Sequence, residues 1–162
     1  MSLTTEQRAT LKAAILADAA AAALWNAGDM YSLAQYCNAS TTTNAWRENV
    51  PPDQMVEQVR FVSYGDLPAG KRDAFRLMLD YPPIDATRAK VRKGIEDIFA
   101  VAGSYTDSAQ MGQMLGACVE KATWAELALG FTTPSAVGGV TAIKRNVTGA
   151  LSVDDVSALQ GV

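Results

Sequence analysis

The run Asp85-Ala86-Thr87-Arg88-Ala89-Lys90-Val91-Arg92-Lys93-Gly94-Ile95-Glu96-Asp97-Ile98-Phe99-Ala100 keeps a helical period from end to end. Val91, Ile95, Ile98 and Phe99 recur at i, i+4, i+7 and i+8, which puts them on one face of a 3.6-residue helix. The spacing predicts a helix over about 86–102 with Asp85 as its N-cap. Pro82-Pro83 precedes it and closes an earlier helix predicted over about 68–81, whose apolar stripe is Phe75, Met78 and Leu79. After it, Met111, Met114, Leu115, Cys118 and Val119 repeat the pattern and predict a helix over about 107–121.

Further out, the same period continues in both directions. Thr4 and Gln7 form a capping box at the head of a helix predicted over about 5–24, with Leu11, Ala14, Ile15 and Ala22 on one face. Asn26-Ala27-Gly28-Asp29 stops it, and a short helix follows over about 30–37. The Thr-, Ser- and Asn-rich stretch from Asn38 to Asn44 reads as a loop. Pro51 disfavours helix at Val50, whereas Pro52 suits a first helical turn, so a short helix is expected over about 52–59. Thr123 and Glu126 make a second capping box. Beyond Gly130 the character changes: Thr141 to Leu151 is rich in β-branched residues, and Ser152-Val153-Asp154-Asp155 opens a last short helix. The fold expected is therefore mainly α. It is a bundle of about five to seven helices over residues 1–130, followed by an extended C-terminal arm over 131–162 that carries a short strand or hairpin and ends in a short helix.

Composition narrows the chemistry. Among 162 residues, 49 % are hydrophobic, enough for a core, and there is no histidine. The commonest general acid/base and the commonest metal ligand are thus missing from the sequence. Cys37 and Cys118 stand far apart, match no metal or redox spacing, and read as two reduced, packed thiols. No serine sits in a G-x-S-x-G context. Gly65-Asp66-Leu67-Pro68-Ala69-Gly70-Lys71-Arg72 has the glycine spacing of a phosphate loop, but Pro68 interrupts it and Arg72 stands where Ser or Thr would hold Mg²⁺; it reads as a turn into a helix. Glu120 with Glu126, or Asp53 with Glu57, are the carboxylate pairs an enzyme could use, and they read more simply as solvated helix acids. No apolar run reaches the length of a membrane span, and the N-terminus has no signal-peptide pattern. No catalytic residue, cofactor or metal is assigned.

Charge is unevenly distributed. The chain carries −3. Between Pro68 and Lys93, however, seven bases (Lys71, Arg72, Arg76, Arg88, Lys90, Arg92 and Lys93) face three acids (Asp73, Asp80 and Asp85), a net +4, leaving −7 elsewhere. These seven are the candidate residues for facing an acidic partner or DNA. Trp25, Trp46 and Trp124 are widely spaced and read as core or interface anchors rather than a base-stacking platform.

Several stretches together resemble a family of small proteins encoded in tailed-bacteriophage genomes. They are Leu3-Thr4-Thr5-Glu6-Gln7 with Leu11-Lys12-Ala13-Ala14-Ile15; Trp46-Arg47 with Val50-Pro51; Gly70-Lys71-Arg72; Ile84-Asp85; Val91-Arg92-Lys93-Gly94-Ile95; Lys121-Ala122-Thr123 with Ala125-Glu126; and Gly149-Ala150-Leu151-Ser152 with Asp155-Val156. The resemblance covers most of the chain. It implies a virion component, most specifically a neck adaptor (head–tail connector) that docks under the portal ring. Implied with it are portal, neck and tail proteins as partners, a ring of about twelve copies, passive contact with channel DNA, and assembly in the host cytoplasm. A tail, collar or baseplate subunit, and a DNA-binding helical regulatory protein, are the alternative readings.

Overall fold

A computed structural model describes residues 3–161. In chain order the elements are α1 (Thr5–Ala17), α2 (Ala19–Asn26), α3 (Met30–Cys37), β1 (Ser40–Trp46), α4 (Pro52–Glu57), α5 (Phe61–Gly65), α6 (Ala69–Asp80), α7 (Ala89–Phe99), α8 (Ser108–Ala117), β2 (Val119–Thr123), α9 (Trp124–Ala128), β3 (Ser135–Val137), β4 (Val140–Ala142) and α10 (Val153–Ser157), with a closing 3₁₀ turn at Ala158–Gly161. The expected helical bundle with an arm is corrected to a mixed α/β chain. Among the described residues β1 pairs with β2 and β3 with β4, and the chain divides into two compact units.

The first unit comprises Met1–Thr43, Lys121–Thr133 and Arg145–Val162. Its helices start where the sequence supplies caps. Thr4 and Gln7 close a capping box on α1, Thr123 and Glu126 on α9, and Ser152 and Asp155 on α10. The single helix expected over 5–24 is broken at Asp18, whose Oδ1 accepts the backbone N–H groups of Ala20 and Ala21, both at 3.0 Å. A short carboxylate that can bond the backbone ahead of it competes with helix continuation and starts a new helix instead. The core joins Leu11, Ile15, Leu33 and Cys37 to Ala125, Leu151, Val156 and Leu159.

The second unit comprises Asn44–Glu120 and Pro134–Lys144. Its core gathers Trp46, Val50, Met55, Phe75, Ile95, Phe99, Tyr105, Met114 and Ala142. Ile95, Ile98 and Phe99 are buried on α7 as their spacing predicts. β3 and β4 pair antiparallel in the register Ser135↔Ala142. Gly138 and Gly139 join them with φ of 54° and 82°, the positive values that a tight two-residue hairpin turn requires. A Cβ on Gly138 would lie 2.4 Å from Leu115 Cδ1.

Two expectations are overturned by these contacts. The segment 131–162 is not an extended arm: Ala142 enters the second unit's core, and Leu151, Val156 and Leu159 enter the first unit's. The Thr-rich stretch is strand rather than loop, because consecutive β-branched residues favour extended backbone and the segment finds pairing partners. Within the first unit Thr41 donates its hydroxyl to the Ala122 carbonyl at 2.8 Å. Within the second, Trp46 N–H donates to the Ile143 carbonyl at 2.9 Å.

Candidate functional site

The seven cations picked out by charge lie on or beside α6 and α7, in the second unit. Arg92 is drawn inside, 8 % exposed. Its Nη1 donates to the carbonyls of Ala86 and Thr87, both at 2.7 Å, and its guanidinium lies 4.9 Å from the Trp46 ring centroid. Burial lowers its pKa and the Asp85 charge opposes that. As a partner-facing or DNA-facing residue Arg92 is therefore corrected: it closes the carbonyls of the turn before α7 and packs on a buried tryptophan. The predicted cap is corrected too. Arg88 is the N-cap position of α7, and Asp85 instead accepts from Thr87 N–H at 3.0 Å and from the Thr87 hydroxyl at 2.6 Å. Burial pushes the Asp85 carboxyl up, and these bonds with Arg88 outweigh it and hold the group below its ordinary value.

Most of the remaining cations have partners of their own. Lys71 Nζ donates to the Ala100 carbonyl at 2.9 Å, and Arg72 Nη1 to the Gly65 carbonyl at 3.3 Å. Arg88 Nε pairs with Asp85 at 2.8 Å. Lys93 pairs with Glu96 at 3.3 Å and with Asp97, and the hydrogen bonds it donates to Asp97 and Glu96 raise its pKa. Among the described residues Arg76 and Lys90 are the exposed members of the seven with no ion pair. The formal excess of charge on this segment is thus largely compensated locally, which weakens its pull on a distant anion.

An apolar depression is the more distinctive surface feature of the same helices. α6 and α7 run antiparallel, with Lys71 reaching Ala100 and Met78 Cε lying 3.5 Å from the Cβ position of Gly94. Along their seam an open groove of about 550 Å³ is lined by Leu77, Met78, Tyr81, Pro83, Ile84 and Val91 among others. A smaller depression of about 330 Å³ continues it along Ala74 and Met78 to Gly94 and Ile98. Leu77 and Tyr81 are 58 % and 74 % exposed. α6 therefore has two apolar faces: Phe75 points into the core, and the Ala74, Leu77 and Tyr81 side lines the groove.

A further exposed apolar feature of this unit is Phe61-Val62 at the start of α5, 71 % and 89 % exposed. Val59 and Leu67 are buried and Tyr64 half-buried, and successive helical residues point about 100° apart. Val62 points about 160° from Tyr64, whereas Phe61, three positions before it, lies on the Tyr64 side and is exposed nonetheless.

The tryptophans serve packing. Trp46 is buried and its indole N–H donates to Ser135 Oγ at 3.1 Å, Trp124 sits 5.6 Å from Tyr36 between ring centroids, and Lys12 Nζ lies 5.6 Å from the Trp25 ring. Both cysteines are free and buried. Burial pushes the Cys37 thiol up to about 11 and the Cys118 thiol up to about 12, so neither is a ready nucleophile at neutral pH. No helix among the described residues is long and apolar enough to cross a membrane. No known family, curated protein or solved structure matches the chain.

Proposed function

We propose that this chain is a structural protein of a tailed-bacteriophage virion, acting by contact with other polypeptides and making or breaking no bond. Its place in this reading is the neck, as an adaptor docked under the portal ring between capsid and tail, in a ring of about twelve copies, assembled in the host cytoplasm and retained in the virion. The observation that carries it is the second unit's exposed apolar surface: the α6–α7 groove and the Phe61-Val62 pair. Apolar surface of this kind, rimmed by charge, marks a protein-binding face. The residue resemblance supplies the phage context. Docking in this reading uses folded surfaces. It does not use an inserted C-terminal arm, because residues of 131–162 fill both cores.

The test is quantitative mass spectrometry of purified particles, with imaging of particles whose copy of the chain carries a tag. A stoichiometry equal to the portal subunit's and density between capsid and tail support the neck. Location in tail, collar or baseplate overturns the neck and keeps the virion. Absence from particles overturns both.

A further inference from the structure

We propose that residues 58–67 form a strap that opens and closes as one piece while the rest of the second unit stays folded, with Gln110 and Asp107 as its latch. This device is independent of the virion reading.

The strap is fastened at its ends and bare in its middle. Val59 and Leu67 are buried, at 9 % and 2 % exposed. Between them α5, Phe61–Gly65, is exposed or half-buried throughout. Val62, at 89 %, is the most exposed large apolar side chain among the described residues. The backbone bonds of this stretch are local: the N–H groups of Val59, Tyr64, Asp66 and Leu67 donate to the carbonyls of Val56, Arg60, Ser63 and Tyr64. A segment bonded within itself can leave its seat without breaking a ladder. α7, by contrast, buries Ile95, Ile98 and Phe99. Segments with few buried apolar contacts open at a lower free energy than core helices do.

Side chains hold the strap to the body. Gln110, 1 % exposed on α8, grips the chain on both sides of Val59: its Oε1 accepts the Arg60 N–H and its Nε2 donates to the Gln58 carbonyl, both at 2.7 Å. Asp107, the N-cap of α8, pairs with Arg60 Nη1 at 3.1 Å. A hydrogen bond from the Ser63 hydroxyl, with the Arg60 charge, holds the Asp107 carboxyl below its ordinary value against the push of burial. Further along, the Tyr64 hydroxyl donates to the Arg72 carbonyl and Arg72 Nη1 to the Gly65 carbonyl, both at 3.3 Å. Ser104 Oγ donates to the Asp66 carbonyl at 3.1 Å. Opening exchanges each of these bonds for one to water, so each adds only modestly to the closed state. Arg60 is held through its main chain by Gln110 and through its side chain by Asp107, so the two latch residues release together. That sharing makes the opening two-state rather than a gradual fraying.

One buried group favours the open state. Tyr105 is 0 % exposed, and its hydroxyl has no hydrogen-bond partner among the described residues. Burial pushes that hydroxyl up to about 12, and the charges that act on it are those of Asp107 and Arg60, the latch pair. It therefore lies near the place where water enters on opening. A buried polar group without a partner is costly, and water satisfies it in the open state. Opening also withdraws the Tyr64 ring from its edge contact with Phe75, 5.9 Å between centroids, and bares apolar surface that the closed strap covers.

The experiment is hydrogen exchange on the full chain at neutral pH, read by mass spectrometry, comparing peptides over 58–67 with peptides over α7 in water and in weak urea. Strap amides are expected to be protected, to exchange at least about 100-fold faster than those of Ile95 and Ile98, and to respond little to urea, because a local opening exposes little surface. Asp107→Asn keeps a cap for α8 and loses the charge facing Arg60. It should speed strap exchange roughly three- to tenfold and leave α7 unchanged. Gln110→Leu removes both bonds to the strap backbone and should speed it further; thermal melts check that it folds, and Asp107→Asn carries the test if it does not. Tyr105→Phe removes the group that opening hydrates and should slow strap exchange at least about threefold. Strap amides that exchange as fast as an unfolded peptide, or with the rate and urea dependence of α7, overturn the strap. An Asp107→Asn effect that is absent, or equal in both peptides, overturns the latch. Strap exchange in Tyr105→Phe that is unchanged or faster overturns the part given to the buried hydroxyl.

Discussion

Replacing Glu126 with Ala should destabilise the first unit by about 4 kcal/mol. The Glu126 side chain is 3 % exposed and that of Arg145 is 6 % exposed. The carboxylate receives Arg145 Nη1 at 3.1 Å on both oxygens, Thr123 N–H at 2.9 Å and Gly149 N–H at 3.3 Å. Truncation removes the carboxylate that pairs with a buried guanidinium, which costs about 3–5 kcal/mol, and removes the acceptor of two backbone donors, about 1–3 kcal/mol for each that water cannot reach. The contributions overlap, so about 4 kcal/mol is the working figure against a typical total of about 5–15 kcal/mol. Cys37 reports the loss, because it lies in the same core and its thiol is buried. At about 1.4 kcal/mol per decade, its labelling by a thiol reagent, read by peptide mass spectrometry, should accelerate roughly 10³-fold in weak denaturant. Glu126→Gln keeps an acceptor, loses the charge and should fall between. Glu126→Leu with Arg145→Leu should cost less than either truncation alone, since a packed apolar pair can replace a buried ion pair. Labelling of Glu126→Ala within threefold of wild type, or additive effects of Glu126→Ala and Arg145→Ala, would refute this account of the site.

Four more outcomes are expected. Gly138→Ala should cost the second unit about 2–4 kcal/mol in urea titrations, from left-handed strain and from the collision with Leu115. Tyr105→Phe should leave the melting temperature unchanged or raise it, because the buried Tyr105 hydroxyl has no hydrogen-bond partner and removing an unsatisfied polar group removes its desolvation cost. Arg92→Ala should lower stability by about 1–3 kcal/mol and shift Trp46 emission, whereas exposed Arg76→Ala should stay within about 0.5 kcal/mol. Asp18, Asp29 and Asp155 are held below their ordinary value of 3.8, chiefly by backbone N–H groups of Ala21, Ser32 and Ser152. They bind fewer protons folded than unfolded, so their stabilisation is complete above that value and drains as pH falls below it. With no histidine in the chain, Tm should stay level between about pH 5 and 8 and drop below about pH 4.

The readable parts of this fold are those governed by one strong local signal. The Val91, Ile95, Ile98, Phe99 stripe has a single interpretation, and the caps at Thr4, Thr123 and Ser152 begin the helices their hydroxyls predict. The strands were hidden because a short strand needs a partner supplied from far along the chain. Thr41 and Ala122 are 81 positions apart, and nothing in Ser40–Trp46 alone distinguishes a loop from an edge. Asp18 was misread because Ala propensity on both sides hides a residue that caps better than it continues. Among the candidate residues, counting charge finds cations but not their counter-ions. Arg92 shares the helical face of Ile95 and Phe99 at i, i+3 and i+7, so its burial was encoded in the spacing, and the formal +4 outweighed that signal.

The stretches that carry the phage resemblance fall largely on the interior, although Ile84 and Val91 among them also line the α6–α7 groove. Leu3, Leu11, Ile15, Trp46, Val50, Ile84, Ile95, Ala125, Leu151 and Val156 are all buried, Arg92 and Glu126 with them, and Thr4, Gln7, Thr123 and Asp155 build capping boxes. These residues specify two cores and the starts of their helices. Phe61, Val62, Leu77 and Tyr81 belong to none of those stretches, and all four are exposed. A docking surface built this way can change without touching a core contact or a cap, because exposed substitutions of this kind cost the fold little. Phe61, Val62, Leu77 and Tyr81 can therefore be altered without unfolding the protein that carries them.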